Sequence, residues 1–260
     1  HTSQRVLVTE FLEGITVLDF LRLRSEDEVD PTSLLPSGFC SSDYCTHIVE
    51  NFLGGAFNCG LYHADLHPGN LVIMPNSTVG YIDFGITGVL SEYSRTNLIA
   101  LTLAYAQRNV DQMLRAFIRV STITSKSNLE RLESGLKQRA ETWYGGGSKD
   151  ETSITAVMLD WLNLSKETGI WPQRDVIKYI RCSVVMDGLI KRLDPEFDVG
   201  AALAKAARAH LEAGLRRNVF SYERVFEAFT SGGELVAGGP AALRVAMSNV
   251  AKTLDLPVVQ

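Results

Sequence analysis

The sequence has no apolar run near the roughly 18 consecutive residues that a membrane-spanning helix needs. Its longest candidate, Leu98 to Ala106, is interrupted by Thr102 and followed by Gln107 and Arg108, so membrane contact by these residues would be peripheral. Cysteine is scarce. Cys40, Cys45, Cys59 and Cys182 have neither the density of a secreted disulfide scaffold nor the paired spacing of a zinc site, and read as reduced, structural thiols. Cys45 with His47 lacks any nearby remainder of a tetrahedral metal set. Basic excess is also missing: 25 Lys and Arg face 30 Asp and Glu, a net charge of -5. Without a cationic footprint to displace phosphate counterions, nucleic acid is not an expected partner. There is no initiator methionine and no signal peptide pattern. The chain opens at His1 and enters a strand-like stretch, Arg5-Val6-Leu7-Val8-Thr9, as expected of a chain cut within a domain.

What is present suffices for a core. The 260 residues, 45% hydrophobic and 21% charged, have the composition of a folded globular chain. The first third mixes strand, loop and helix signals, whereas the rest reads as helices, so the expected class is α+β, mostly α. Glu13-Gly14 turns the chain after the opening strand, and Asp30-Pro31 through Pro36-Ser37-Gly38 is a turn-rich connector. A helix from about Ser42 carries Ile48, Val49, Phe52 and Phe57, with Gly54-Gly55 implying close packing against a neighbour. Leu71–Met74 and Val79–Ile82, split by Pro75-Asn76-Ser77, form a hairpin-like pair.

Beyond Ser91 the period is helical. Asn109 caps a segment whose Met113, Leu114, Phe117 and Ile118 share a face, and Ser127 with Glu130 predicts a capping box. Tyr144-Gly145-Gly146-Gly147-Ser148 is a linker; it lacks the preceding strand and following Lys-Ser/Thr of a phosphate cradle. One further helix carries Ile154, Val157, Met158, Trp161 and Leu162, and another starts with Pro172 in its first turn and bears Val176, Ile177, Ile180 and Val184. A Gly/Ala/Pro-rich joint, Ser231 to Ala242, precedes a last short amphipathic helix.

One constellation carries chemistry: His63-Ala64-Asp65-Leu66-His67-Pro68-Gly69-Asn70, then the hairpin, then Asp83-Phe84-Gly85. Phosphoryl transfer needs a carboxylate to orient the nucleophile's proton and oxygen ligands to hold Mg²⁺ against a triphosphate. Asp65, Asn70 and Asp83 are groups of those types. A loop after a helix presents Asp65 and Asn70 together, and the hairpin returns the chain so that Asp83 faces the same cavity. His63 reads as a packed structural histidine, since Asp65 already supplies a carboxylate. Separately these motifs mean little; in this order and spacing they point to one site.

The chain resembles the protein kinase-like superfamily and, within it, the UbiB family of atypical kinases. Residues 63–70, HADLHPGN, are similar to that family's catalytic loop, and residues 82–85, IDFG, to its metal-binding loop. Val6 to Gly14 looks like the last small-lobe strand and hinge, and Met186-Asp187-Gly188 through Leu193-Asp194-Pro195-Glu196-Phe197 like the family's helix end. The resemblance implies a kinase-like large lobe, with residues 1–24 as the end of the small lobe, hinge strand and first helix, and 25–90 as the catalytic core. It implies 91–230 as the helical part and 231–260 as a C-terminal joint and short helix. By this likeness Asp65 is the catalytic-loop aspartate, Asn70 and Asp83 hold the metal, and His67 takes the place of a Lys that contacts the transferred phosphate. Thr9 falls at the gatekeeper position, Glu10 and Leu12 in the adenine-pairing hinge, and Val72 in the apolar floor beneath the ring.

The implied cofactors are ATP and Mg²⁺, and the implied activity is ATP hydrolysis or phosphoryl transfer supporting ubiquinone or isoprenoid-lipid metabolism. The implied partners are a nucleotide, an isoprenoid lipid or quinone precursor, and a peripheral membrane surface of the bacterial cytoplasmic membrane, mitochondrion or plastid. The departures are specific. Ala64 stands where many protein kinases have an Arg, no A-P-E motif follows Gly85, and the phosphate loop, strand Lys and K-x-G-Q motif are absent from the sequence. The expectation is therefore a fragment, inactive by itself. Two alternatives stay open: an aminoglycoside- or choline-kinase-like phosphotransferase, which shares the H-x-D-L-H-x-x-N loop, and a nucleotide-binding pseudokinase scaffold.

Overall fold

A computed structural model describes residues 5–6, 8–25, 35–145 and 154–219. The chain divides into two compact units, His1–Leu211 and Glu212–Gln260. Of the second, only the helical residues 212–219 are described, and the account below concerns the first. The fold is α+β and mostly helical, as the hydrophobic periods predict.

The mixed region opens with the two-residue strand β1 (Ile15–Thr16) and helix α1 (Val17–Ser25). The Thr16 hydroxyl starts α1 by accepting the Asp19 N–H at 3.1 Å while donating to the Asp19 carboxylate at 2.6 Å, a side-chain cap of the usual kind. Helix α2 (Ser41–Gly54) buries Tyr44, Cys45, Ile48, Val49, Phe52 and Leu53, a stripe at helical spacing that forms the centre of the core. It continues as a π-helical turn, Gly55–Cys59. The close packing predicted for the glycine pair is real at Gly55: a Cβ there would sit 2.6 Å from the Leu61 carbonyl.

Four strands follow: β2 (Leu61–His63), β3 (Leu71–Ile73), β4 (Val79–Tyr81) and β5 (Thr87–Val89). The predicted hairpin is the antiparallel β3–β4 pair, Leu71 opposite Tyr81 and Ile73 opposite Val79, turned by a 3₁₀ segment at Pro75–Ser77. β1 pairs with the other edge of β3, and β2 pairs with β5, His63 opposite Thr87. An opening strand is expected at residues 5–9, of which Arg5, Val6, Val8 and Thr9 are described. Its described residues lie outside any strand, and Val6 and Val8 remain 58% and 55% exposed. The strand preference of valine reflects burial on a pleated surface, and these residues have little of it.

The helical region comprises α3 (Glu92–Ala106), α4 (Val110–Arg119), α5 (Leu129–Tyr144), α6 (Ile154–Thr168), α7 (Arg174–Leu193) and α8 (Val199–Val219). None is long and apolar enough to cross a membrane among the described residues. Asn109 caps α4 as expected, accepting the Gln112 N–H at 3.0 Å. α5 is capped one residue later than predicted. Asn128, not Ser127, accepts the Arg131 N–H at 2.9 Å, because the Ser127 hydroxyl is committed to the preceding turn and to the Gly169 carbonyl at 3.0 Å.

Pro172 also differs from expectation. It pairs with Ser121 in a two-stranded contact between β6 (Ser121–Thr122) and β7 (Trp171–Pro172), and α7 starts two residues later with Gln173 as its cap. Apolar stripes knit the helices together: Phe117 of α4 lies against Trp161 of α6, ring centroids 4.0 Å apart. The expected linker residues 146–148, part of the 30–38 connector, and the joint and short helix after Ser231 lie outside the described residues.

Candidate functional site

The order of the short strands creates the site. β2 pairs with β5 and β3 with β4, so the two connecting loops, residues 64–70 and 82–86, run side by side between the ladders. Backbone bonds fasten one loop to the other. The Ala64 N–H donates to the Ile86 carbonyl at 3.1 Å, and the Ile82 N–H donates to the Asn70 carbonyl at 2.9 Å. Leu66, 2% exposed, anchors the first loop in the core.

His63 is the side-chain clamp between the two loops. The Asp65 backbone N–H donates to its Nδ1 at 3.2 Å, and its Nε2 lies 3.1 Å from the Ile82 carbonyl. An amide can only donate and a carbonyl can only accept, so the ring is the neutral tautomer with its proton on Nε2. The ring is 9% exposed and is covered by Phe84, whose centroid lies 5.1 Å away in an edge-on contact. The reading of His63 as a packed histidine holds, and the packed ring makes a link: one imidazole joins the Asp65 backbone to Ile82, the residue preceding Asp83.

Asp65 and Asn70 meet directly. The Asn70 Nδ2 donates to the Asp65 carbonyl and to its carboxylate Oδ2, both at 3.1 Å. Two acceptors facing one end of the amide identify that end as the nitrogen, which leaves Asn70 Oδ1 as the acceptor turned elsewhere. Asp83 is exposed and has φ of 56°, a left-handed conformation that Asp tolerates better than most residues. Its Oδ1 accepts the Gly85 N–H at 3.1 Å, closing a local turn and leaving the second carboxylate oxygen outside it. Asn70 Oδ1 and the Asp83 carboxylate are hard oxygen donors of the kind Mg²⁺ takes when it keeps waters and substrate oxygens as its other ligands. The chemistry of the pair fits that ion. Among the described residues no group of three or more His, Cys, Asp or Glu could hold a metal.

The other predicted residues divide. His67 is exposed and begins the 3₁₀ turn Pro68–Asn70, its Nδ1 accepting the Gly69 N–H at 3.1 Å; Nε2 is the ring nitrogen outside that turn. Leu12 and Val72 converge over Gly80 of β4. A Cβ on Gly80 would lie 2.8 Å from Leu12 Cδ1, 3.0 Å from Met74 sulfur and 3.1 Å from Val72 Cβ, so a glycine is what lets the three close together. Glu10 is exposed and outside any strand, two residues before Leu12 in the chain. Two clefts of about 480 and 490 Å³ lie elsewhere, one beside α2 and the start of α8 and one on α5 and α6, with no candidate residue in their walls.

One residue at this site gave no signal in the sequence. Cys182 of α7 donates its thiol to the Ala64 carbonyl at 3.3 Å across a separation of 118 residues. Burial pushes its pKa up to about 11, with the Asp65 charge adding and Arg181 opposing, so the thiol keeps its proton at neutral pH. Cys45, fully buried in α2, is likewise pushed up by burial, to about 12. His47 Nδ1 lies 2.7 Å from the Ser77 carbonyl, a structural tie for the second half of that pair.

Comparison with protein-family models places these observations in context. Residues 1–117 match the model of the ABC1 atypical kinase-like domain. The matched stretch contains every residue of the candidate site from Glu10 to Asp83 and supports the atypical kinase family for that part of the chain. α5 to α8 lie beyond it.

Proposed function

We propose that this chain carries the catalytic and metal loops of a UbiB-type atypical kinase or ATPase, which binds ATP with Mg²⁺ and hydrolyses it or transfers its terminal phosphoryl group. One observation supports this reading above the rest: the His63 clamp and the Asn70–Asp65 bonds fasten the loop of Asp65 and Asn70 to the start of the loop that carries Asp83, within the stretch matched by the ABC1 model. In this reading Asp65 orients or accepts the proton of the attacking hydroxyl or water. Its Oδ2 is fixed by Asn70, so the carboxylate reaches the reacting group already oriented. Asn70 Oδ1 and the Asp83 carboxylate would hold Mg²⁺, which supplies charge neutralisation at the phosphates. His67 would offer Nε2 to the transferred phosphate, and Leu12 and Val72 an apolar surface to the adenine ring, with the backbone at Glu10 and Leu12 pairing with its edge.

Support for an isoprenoid lipid or quinone precursor as the other partner, and for work at a membrane surface, comes from resemblance alone. The experiment is steady-state ATP consumption by the full-length gene product, with and without Mg²⁺, beside its Asp65→Asn variant. Mg²⁺-dependent turnover that falls at least 100-fold in the variant is expected, the range that loss of a general base produces. Equal turnover by the two proteins refutes the role of Asp65, and Mg²⁺-ATP binding with no turnover in either favours a nucleotide-binding scaffold.

A further inference from the structure

We infer that Cys182, far along the chain in α7, is a positioning residue for Asp65: its thiol holds one end of the peptide unit that carries the aspartate. The inference rests on reading Asp65 as the acting carboxylate. The Ala64 carbonyl and the Asp65 N–H belong to the same peptide plane. The carbonyl accepts from Cys182 Sγ at 3.3 Å, and the N–H donates to His63 Nδ1 at 3.2 Å. Rotating that plane breaks both bonds, so the backbone angles that aim the Asp65 side chain are held from two directions. On either side of this plane the Ala64 N–H is tied to Ile86 and the Asp65 carbonyl to Asn70. Every backbone polar group of the Ala64–Asp65 pair is thereby bonded, and three of the four partners come from the two site loops or from β2. The fourth comes from α7.

The thiol is well placed to act as a fixed donor. One turn earlier on the same helix face, Tyr179 stacks on Phe52 and Phe57 and meets Tyr62 edge-on, with centroids 5.3 to 5.9 Å apart. Residues three apart share a helix face, so this aromatic cluster sets the register of α7 against α2 and β2 and delivers Cys182, itself 5% exposed, to the loop. Burial keeps the sulfur protonated, and a protonated thiol can donate where a thiolate cannot. Residues of the helical region that lie outside the ABC1 match therefore belong to the working site, although they touch no substrate.

The test compares Cys182→Val, which removes the donor while filling the space, with Val176→Ala, a packing change on the same helix that leaves the thiol in place. Amide hydrogen exchange at Asp65 is read by NMR in the full chain. In Cys182→Val the Asp65 amide is expected to exchange about tenfold faster relative to amides in α2, the scale of one lost hydrogen bond; Val176→Ala should show no such selective change. In the full-length gene product the same Cys182→Val change should lower kcat for Mg²⁺-ATP several-fold with KM unchanged. An Asp65 amide that exchanges at the wild-type rate in Cys182→Val, or one that changes equally in both variants, overturns the inference. Absence of ATP turnover in the wild-type protein counts against the proposed function, while the exchange data still decide the role of Cys182.

Discussion

Replacing His63 by Leu should loosen the two site loops by a calculable amount. The change keeps a buried apolar body of similar size and removes two hydrogen bonds, Asp65 N–H to Nδ1 and Nε2–H to the Ile82 carbonyl, 3.2 and 3.1 Å long. Each bond has a net worth of about 0.5–1.5 kcal/mol. Stranding the two backbone partners would add about 1–3 kcal/mol apiece if they stayed dry. They do not: Asp65 is half-buried and Ile82 is 39% exposed, so water replaces much of what is lost. The expected destabilisation is therefore about 1–3 kcal/mol. With a urea m-value of about 2 kcal/mol/M, a loss of 2 kcal/mol lowers the unfolding midpoint by about 1 M at unchanged slope. Phe84→Ala is the control, since it removes the edge-on ring contact with His63 but neither bond, and Phe84 is 63% exposed; a shift of about 0.5 kcal/mol or less is expected. A His63→Leu midpoint equal to wild type would refute the clamp.

Other consequences are testable with equal economy. Gly55→Ala should destabilise the protein by about 1–3 kcal/mol despite alanine's better helix propensity, because the new Cβ meets the Leu61 carbonyl at 2.6 Å; a raised Tm contradicts the close-packing argument. Asn128→Ala should cost about 1 kcal/mol through loss of the α5 cap, measured by thermal or urea unfolding, and no change would return the cap to Ser127. The buried thiols of Cys45 and Cys182 are held at about 12 and 11 against an ordinary value of 9.0. The native state thus keeps protons that the unfolded chain releases, and this stabilisation, complete below pH 9, is lost as pH rises through 11 to 12. Urea midpoints should fall across pH 9 to 11, and a flat profile would show the thiols to be solvated.

Much of this architecture is legible in the sequence where the information is local. The β3–β4 hairpin follows from two short apolar runs around Pro75-Asn76-Ser77, and the Asn109 cap from one side chain and its own helix. The errors share a cause. Val6 and Val8 have strand propensity without the burial that makes it count, and Ser127 yields the cap to Asn128 because its hydroxyl bonds to Gly169, forty-two residues on. Pro172 looks like a first-turn proline but is claimed by pairing with Ser121. At the candidate site, the meeting of Asp65 with Asn70 and the side-by-side run of their loop with the one carrying Asp83 are legible, since the loops and the hairpin are consecutive in the chain. The Cys182 bond to Ala64 was invisible, because nothing near residue 182 records which loop lies against it.

The central claim is that Asn70 and Asp83 hold Mg²⁺ for a nucleotide beside Asp65. Calorimetric titration of the full-length gene product with ATP, in the presence and absence of Mg²⁺, tests it most directly when repeated on Asp83→Asn. The account predicts binding that depends on Mg²⁺ in the wild type and loses that dependence, with at least tenfold weaker affinity, in the variant. Equal Mg²⁺-dependent affinity in both proteins would contradict it.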